Sequence, residues 1–454
     1  MHPVAARQQR GCQGARRRDA TRHGTQSAFV SHNNLVTHNN RLKEFAMSRS
    51  TQHISPLHVL IVGAGMGGLS TALAFQHRGH RVTVVERVQE IRPIGAAISL
   101  WPNGVKIMHR LGLGETIERL SGEMTRMRYL THHGQTLTDF SLAPLFEAVG
   151  QRACPIARAA LQQTLFDAVG EAHIQLGRCC NDYTLADDGI TAHFEDGGSL
   201  HADLLVVADG THSRLRGKIT GHAVERQYVG YVNWNVRVPA DDDLAPLDNW
   251  DQYVGDAKRV SLMPMGSGGN DQDAQEFYCF FDVPLPAGIA NEPQHYRDEL
   301  REHFAGWARP VQALIERFDP ERMARLEIHD IPPLDTLTAR RVALLGDAAH
   351  GMAPDLGQGG CQAMEDAWVL AEAIQHALDE HTDTSTAIAT ALTHYDASRV
   401  ERVGEIVSRA RKRAAMIHGL DPENTQAWYD ELAHADGDAI IAGLEKTVVG
   451  GPLG

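Results

Sequence analysis

A glycine-rich turn near residue 63 constrains the fold of this chain more than any other sequence feature. The turn, Gly63-Ala64-Gly65-Met66-Gly67-Gly68, follows an apolar run at 58–62 that predicts a buried strand. A helical pattern at 67–78 and a second strand pattern at 81–86 come next, and Glu86 ends that second strand. A carboxylate at this position accepts hydrogen bonds from ribose hydroxyl groups. The order predicts a parallel Rossmann-type sheet in which a helix N-terminus binds the pyrophosphate of a dinucleotide.

Two later motifs again combine a buried strand with a glycine and an acid. Ala208-Asp209-Gly210 follows a strand pattern at 204–208, and Gly346-Asp347 follows another at 342–345. A sheet assembled from segments so far apart in sequence requires insertions between them. One of these, from about 228 to 330, alternates polar and apolar residues like a β-sheet and is predicted to bind the substrate.

These patterns predict an α/β protein with several domains and segments. A helical pattern covers 365–415, and the polar segment Gly266–Gln275 is predicted to be a hairpin loop. The predicted divisions are a disordered extension at 1–56, a discontinuous dinucleotide-binding domain at 57–227 and 330–385, an inserted mainly-β substrate domain at 228–329, and a helical region at 386–454.

Charge and cysteine content exclude several classes of function. The 454 residues carry a formal charge of -14, which disfavours nucleic acid as the main partner. No apolar run reaches the roughly 18–20 residues of a membrane span. The six cysteines, at 12, 154, 179, 180, 279 and 361, form no CxxC pair, so neither a metal site nor a disulfide framework is indicated. A reduced, cytoplasmic protein is expected.

The first 46 residues differ from the rest of the chain. They are basic and polar and show no hydrophobic period, so we expect disorder. A transit peptide is one interpretation of such a composition, whereas an extension upstream of a natural start at Met47 is the favoured one.

The glycine-rich turn alone does not distinguish NAD from FAD, but the three motifs together do. Their order and spacing over about 57–410 resemble the class A flavoprotein monooxygenases, the family of p-hydroxybenzoate and salicylate hydroxylases. The resemblance implies the p-hydroxybenzoate hydroxylase-like fold, FAD as the cofactor, and NADH or NADPH and O2 as co-substrates. It also implies a flavin hydroperoxide at carbon 4a as the oxygen donor.

The resemblance also assigns cofactor contacts. Asp347 is expected to bind the ribityl chain of FAD, Asp209 to lie near the pyrophosphate, and Arg158 to contact the cofactor. The segment Gly357-Gln358-Gly359-Gly360-Cys361 precedes a helix expected to begin near Gln362, and its N–H groups would stabilise anionic reduced flavin. Further cofactor contacts implied by the resemblance are Arg87, Ser99 and Cys180.

The substrate is indicated by a narrower resemblance. Pro354-Asp355 and Cys361 stand where phenol-hydroxylating branches commonly have Pro-Pro and Asn, and stretches such as Gly230–Asn235 and Lys258–Pro264 resemble the branch that hydroxylates urate to 5-hydroxyisourate with NADH. The loop at 265–276 is longer than in that branch. The implied purine-binding residues are Asn233, Arg259, Tyr278, Cys279 and Phe280. Arg259 and Tyr278 would be the catalytic residues, because a guanidinium offers fixed donors and permanent charge.

Alternatives remain at this point. The same fold also fits a salicylate or 6-hydroxynicotinate hydroxylase, a non-catalytic redox-sensing flavoprotein, or a simple NAD-binding dehydrogenase. Taken without the family, Arg259 reads as a surface arginine on a strand, Tyr278 as a core residue, and each motif aspartate as a helix cap. The sequence indicates no oligomeric state.

Overall fold

A computed structural model describes residues 55–91, 97–266, 275–289 and 292–453. Nearly all of the predicted extension at 1–56, and most of the predicted hairpin loop, lie outside these ranges. The strands that flank that loop pair antiparallel, with Met265 opposite Glu276, as a hairpin requires.

The strands fall into two large sheets and two small ones. In chain order they are β1 (His58–Val62), β2 (Arg81–Glu86), β3 (Ala97–Leu100), β4 (Arg126–Thr131), β5 (Thr136–Ser141), β6 (Cys154–Ala157), β7 (Ile174–Leu176), β8 (Cys180–Leu185), β9 (Ile190–Phe194), β10 (Ser199–Ala202), β11 (Leu204–Val207), β12 (Gln227–Pro239), β13 (Asn249–Gly255), β14 (Lys258–Met265), β15 (Glu276–Val283), β16 (Ala324–Asp330), β17 (Thr338–Ala339) and β18 (Val342–Leu344).

Helices lie between and after these strands. In chain order they are α1 (Met66–Gln76), α2 (Pro102–Arg110), α3 (Gly114–Leu120), α4 (Ala143–Val149), α5 (Arg158–Val169), α6 (Arg216–Thr220), α7 (Tyr296–His303), α8 (Arg309–Arg317), α9 (Asp347–His350), α10 (Gly359–Glu380), α11 (Thr384–Ile417), α12 (Pro422–Leu432) and α13 (Asp438–Val449).

The first large sheet contains the strands predicted from the three motifs. Its order is β17-β18-β11-β1-β2-β7, and β1 pairs in parallel with both β2 and β11. Every residue of β1 and β11 is buried, which explains why both segments are continuously apolar. The predicted strands at 58–62 and 81–86 match β1 and β2.

The second large sheet, of order β16-β12-β15-β14-β13-β4-β5, has two different faces. On one face, residues such as Val232, Trp234 and Phe281 form a core with α7 and α8. The other face carries polar and aromatic side chains, because successive residues of a strand point to opposite sides. The sheet also includes β4 and β5, so it extends beyond the predicted 228–329 segment.

The predicted helical region at 365–415 consists of two helices, α10 and α11, separated at 381–383. Asp383 caps α11 by accepting a hydrogen bond from the Thr386 amide, at 2.7 Å. Helix α10 begins at Gly359, three residues before the predicted start at Gln362. A Cβ on Gly360 would lie 2.4 Å from Ile98 Cδ1, so glycine there lets the first turn pack closely.

Candidate cofactor and substrate site

The three motifs meet at one edge of the parallel sheet. Strands β18, β11 and β1 are neighbours, and their carboxyl ends lead directly into the motifs. The Ala208 amide donates to Val62 O at 2.8 Å, and the Leu345 amide donates to Val207 O at 3.0 Å. Residues from all three motifs line one cavity of about 950 Å³. The three motifs therefore converge on one cavity.

Gly63 lies close to the backbone of the second motif. Its φ is +109°, and a Cβ there would lie 2.3 Å from Ala208 O. Glu86 fixes the same turn, because its Oε2 accepts a hydrogen bond from the Ala64 amide at 2.8 Å. Glycine at 68 lets the start of α1 pack against the turn that follows β1, since a Cβ at 68 would lie 1.9 Å from Gly63 O. These residues shape the turn, whereas Gly65 and Gly67 line the cavity itself.

The two motif aspartates present unused acceptors to the cavity. Asp347 is exposed at the start of α9, although the three residues after it are buried. Asp209 accepts a hydrogen bond from the Arg214 amide at 3.1 Å through Oδ2, but its buried Oδ1 has no partner among the described residues. Burial raises the pKa of the Asp209 carboxyl. A polar ligand that donates hydrogen bonds satisfies both carboxyl groups.

The glycine-rich segment after the third motif forms a helix N-terminus on the cavity. The amides of Gly359, Gly360 and Cys361 fall in the first turn of α10, where N–H groups lack helical partners. Gln358 precedes them, is 2% exposed, and is held by the Asn103 side-chain amide at 3.0 Å. The positive end of this helix suits an electron-rich ring that becomes anionic.

Glycine is required at 357 for a different reason. Its φ is +62°, and a Cβ would lie 2.6 Å from Trp101 Nε1 and 2.7 Å from Ser99 Oγ. Ser99 therefore lies beside the glycine-rich segment and lines the cavity, as Arg87 and Arg158 also do. The guanidinium of Arg158 makes no ion pair with a carboxylate in the described ranges.

Two predicted cofactor residues do not present their thiols to the cavity. Cys180 is 4% exposed, and its Sγ donates to Asp182 O at 3.6 Å. Cys361 is fully buried, and its Sγ lies so close to Gly104 that a Cβ on Gly104 would be 2.9 Å from it. Of these two residues, only Cys361 keeps a group for the cofactor: its backbone N–H, which the sequence predicts to stabilise anionic reduced flavin. The rest of the set fits FAD: a glycine turn for its pyrophosphate, free carboxylate oxygens for its hydroxyls, and a helix N-terminus for its ring.

The polar face of the second sheet lines the same cavity. Asn233, Arg259, Tyr278 and Phe280 lie on this face, as the purine assignment requires. The assignment of Cys279 is corrected, because strand alternation turns its side chain into the core on the other face, where it is fully buried. Phe280 packs under the Arg259 guanidinium at 5.1 Å and beside Tyr278 at 5.4 Å.

Arg259 is the centre of a buried cluster of charges. Its Nε donates to Asp282 Oδ2 at 2.8 Å, and its Nη2 donates to Asp355 Oδ1 at 3.0 Å. Asn233 holds Asp282 by donating at 2.7 Å, and Tyr231 holds Asp355 in the same way at 2.7 Å. No partner for Nη1 of Arg259 is found among the described residues, so two N–H groups remain for a ligand.

Burial and neighbouring charges shift the pKa values of Arg259, Asp355 and the nearby Tyr278. Burial opposes the charged form of Arg259, yet Asp282 and Asp355 raise the pKa of its guanidinium. Burial likewise opposes ionisation of Asp355, but Arg259 and His418 lower the pKa of that carboxyl well below its ordinary value. Burial raises the pKa of the Tyr278 phenol, so its hydroxyl stays protonated and able to donate.

Sequence reasoning missed both carboxylates. Asp282 has a signal in the sequence, since it lies two and four residues after Phe280 and Tyr278 and therefore on the same strand face. In the sequence, Asp355 stands out only as a departure from the Pro-Pro of phenol-hydroxylating branches. Its partner Arg259 is 96 residues away, and no local pattern links the two.

Three further features belong to the described part of the chain. There, no group of three or more His, Cys, Asp or Glu residues is arranged to hold a metal ion. Five cysteines in the described ranges are free thiols: Cys154, Cys179, Cys180, Cys279 and Cys361. Within the same ranges, no helix is both long and apolar enough to cross a membrane.

Comparison with known sequences gives consistent results. The family described as "FAD binding domain" matches residues 56–410. The FAD-dependent urate hydroxylase of Klebsiella pneumoniae subsp. pneumoniae is 48% identical over 399 residues, covering 88% of this chain and 100% of the relative. The enzyme of that name from Mycolicibacterium vanbaalenii is 46% identical over 400 residues, covering 87% and 98%.

Solved structures agree with this relationship. Klebsiella pneumoniae HpxO complexed with FAD and uric acid superposes with a TM-score of 0.83 at 46% identity, covering 89% of this chain and 100% of that one. A salicylate hydroxylase substrate complex gives a TM-score of 0.69 at 25% identity, covering 88% and 100%. This chain belongs to the FAD-binding-domain family and is an FAD-dependent enzyme with the class A flavin hydroxylase fold.

Proposed function

We propose that this protein hydroxylates urate at carbon 5, consuming NADH, a proton and O2 and releasing 5-hydroxyisourate, NAD⁺ and water. The observation that carries the proposal is identity of 46–48% to FAD-dependent urate hydroxylases over nearly their whole length. It is supported by a polar sheet face that shares one cavity with the flavin motifs. FAD supplies hydride acceptance from the nicotinamide and reductive activation of O2; the protein supplies binding, orientation and exclusion of water.

Urate is a flat ring system edged by carbonyl and N–H groups, and the cavity offers complementary partners. The free N–H groups of Arg259 and the protonated hydroxyl of Tyr278 donate to carbonyl oxygens. Oδ1 of Asn233 already accepts from Asn235 at 2.8 Å, which leaves its second lone pair for a purine N–H. Rigid donors and acceptors of this kind discriminate strongly between urate and similar rings, because a ligand that lacks the matching group leaves them unpaired.

The charge cluster changes what Arg259 does for the substrate. Two carboxylates, those of Asp282 and Asp355, lie 2.7 and 3.0 Å from Nη2 of Arg259, so Arg259 offers directed hydrogen bonds more than unbalanced positive charge. Asp355 is a weak general base because its pKa lies far below neutral pH. We therefore assign Asp355 to orienting Arg259, and Asn233 to orienting Asp282.

Phe280 and Tyr278 form an aromatic wall beside this cluster. An apolar wall next to the ring excludes water from the reacting centre, which limits wasteful release of hydrogen peroxide. Coupling of NADH oxidation to hydroxylation, rather than NADH oxidation itself, is therefore the property that the sheet face controls.

The test is rapid-mixing reduction of the purified holoenzyme. Under anaerobic conditions, we expect urate to accelerate NADH-driven bleaching of the flavin at least tenfold, and salicylate and 6-hydroxynicotinate to leave the rate unchanged. Admitting O2 should then yield 5-hydroxyisourate. Acceleration by salicylate and not by urate would assign the protein to the aromatic hydroxylases instead.

A further inference from the structure

Part of the cavity lies beyond the substrate residues, and we call this part the C-terminal lobe. It is lined by Met127, Tyr129, Trp250, Gln252, Arg413 and Trp428, and is covered by α12 and α13. Strand register places it on the same sheet face: Phe280 lies opposite Ser261, Ser261 opposite Gln252, and Gln252 opposite Tyr129. Since neighbouring strands are about 4.8 Å apart, Gln252 lies about 10 Å from Phe280.

The walls of this lobe are aromatic. Tyr129 and Trp428 meet edge to face, with centroids 6.1 Å apart and an interplanar angle of 88°. Trp250 is anchored by its indole N–H, which donates to Ser261 Oγ at 2.6 Å. Flat aromatic walls that are held in fixed orientations suit a flat ring as ligand.

Two polar groups of the lobe, the buried amide of Gln252 and the half-buried guanidinium of Arg413, can bind a ligand. Gln252 is 2% exposed, yet its Nε2 has no hydrogen-bond partner in the described chain. Arg413 lies over Trp428 at 4.7 Å and donates to the Tyr129 hydroxyl at 3.4 Å, but pairs with no carboxylate in the described ranges. None of the six residues that define the lobe is acidic, and Glu431, which also lines the cavity, is exposed to solvent. An unpaired buried amide and an unneutralised guanidinium favour a ligand with carbonyl oxygens and negative charge.

We propose that the C-terminal lobe is a second binding station for the purine substrate, which occupies it in anionic form on the way to the flavin. The proposal rests on the proposed function, since urate is a planar monoanion rimmed by carbonyl oxygens. Arg413 supplies the positive charge that the Arg259 cluster lacks, and Gln252 donates to a ring carbonyl. The two stations share the cavity but use different residues.

Two titrations of the oxidised, FAD-saturated full chain with urate separate the stations. Calorimetry counts all bound urate, whereas the flavin absorbance responds only to urate beside the ring. We expect two equivalents by heat and one by absorbance. One equivalent by both methods, with 5-hydroxyisourate still formed in turnover, would overturn the second station and leave the proposed function intact. No binding and no product would overturn the proposed function itself.

Variants assign the second equivalent to the lobe. Arg413→Gln should remove one equivalent of heat, keep the absorbance titration at one equivalent, and raise KM for urate about tenfold, as expected for losing a hydrogen bond to a charged group. Lys412→Gln is the matched control, because Lys412 is adjacent and exposed. Gln252→Leu is a second variant that fills the same space without the unpaired amide, so it should fold normally and also lose the second equivalent. Retention of both equivalents in Arg413→Gln and Gln252→Leu would refute the assignment.

Discussion

Removing Arg259 should expose a repulsion between Asp282 and Asp355 that the guanidinium now screens. The nearest oxygens of the two carboxylates lie 2.7 and 3.0 Å from Nη2, so they are at most 2.7 + 3.0 = 5.7 Å apart. At an effective dielectric constant of about 20, two negative charges at that separation repel by about 3 kcal/mol. We expect Arg259→Gln to lower the free energy of unfolding by roughly 3–5 kcal/mol, the usual cost of breaking a buried pair.

A second substitution on top of Arg259→Gln tests this repulsion. Adding Asp355→Asn to Arg259→Gln removes one of the two charges and should recover about 3 kcal/mol, the repulsion calculated above. The assay is denaturant unfolding followed by circular dichroism at a fixed excess of FAD. The exposed pair Arg126 and Asp139, with side chains 41% and 36% exposed, is the control: adding Asp139→Asn to Arg126→Gln should change the free energy of unfolding by less than about 1 kcal/mol. If the double variant is no more stable than Arg259→Gln, the account of the charge cluster is wrong.

Two further predictions concern the cofactor site, and a third concerns the buried carboxylate Asp366. Gly63→Ala should abolish FAD retention, because its Cβ would lie 2.3 Å from Ala208 O at a φ of +109°, and a yellow, stoichiometrically loaded variant would refute this. Asp347→Ala should weaken FAD binding at least tenfold by removing an exposed acceptor, which fluorescence of released flavin measures. Burial opposes ionisation of Asp366, but His350 and Arg399 lower the pKa of its carboxyl from 3.8 to about 2. Its contribution of about 2 kcal/mol should therefore be complete above about pH 4 and disappear as the pH falls towards 2, whereas Asp366→Asn should lack this dependence.

The parallel sheet was predictable because its signals are local. An uninterrupted apolar run, a glycine turn and an acid appear together at 58–68 and 86, and β1 and β2 have the expected bounds. The convergence of the three motifs was also predictable, since parallel strands place their carboxyl ends at one edge of a sheet.

The substrate-binding face of the second sheet was only partly predictable, because its contacts join residues that are far apart in sequence. Residue types and the family resemblance selected Arg259 and Tyr278, and strand alternation alone would have excluded Cys279 and suggested Asp282. The pairing of Arg259 with Asp355 depends on how the glycine-rich segment docks against β14, which no pattern within either segment specifies. The same holds for the C-terminal lobe, where β13 meets helices more than 150 residues later in the chain.

The proposed reaction is tested most directly by following the oxygen atom. The purified enzyme would be supplied with urate, NADH and ¹⁸O-labelled O2, and product and peroxide would be quantified by mass spectrometry and a peroxidase assay. We predict one labelled oxygen atom in 5-hydroxyisourate for each NADH oxidised, with little hydrogen peroxide. Unlabelled product, or NADH consumption that yields only peroxide, would contradict a flavin monooxygenase acting on urate.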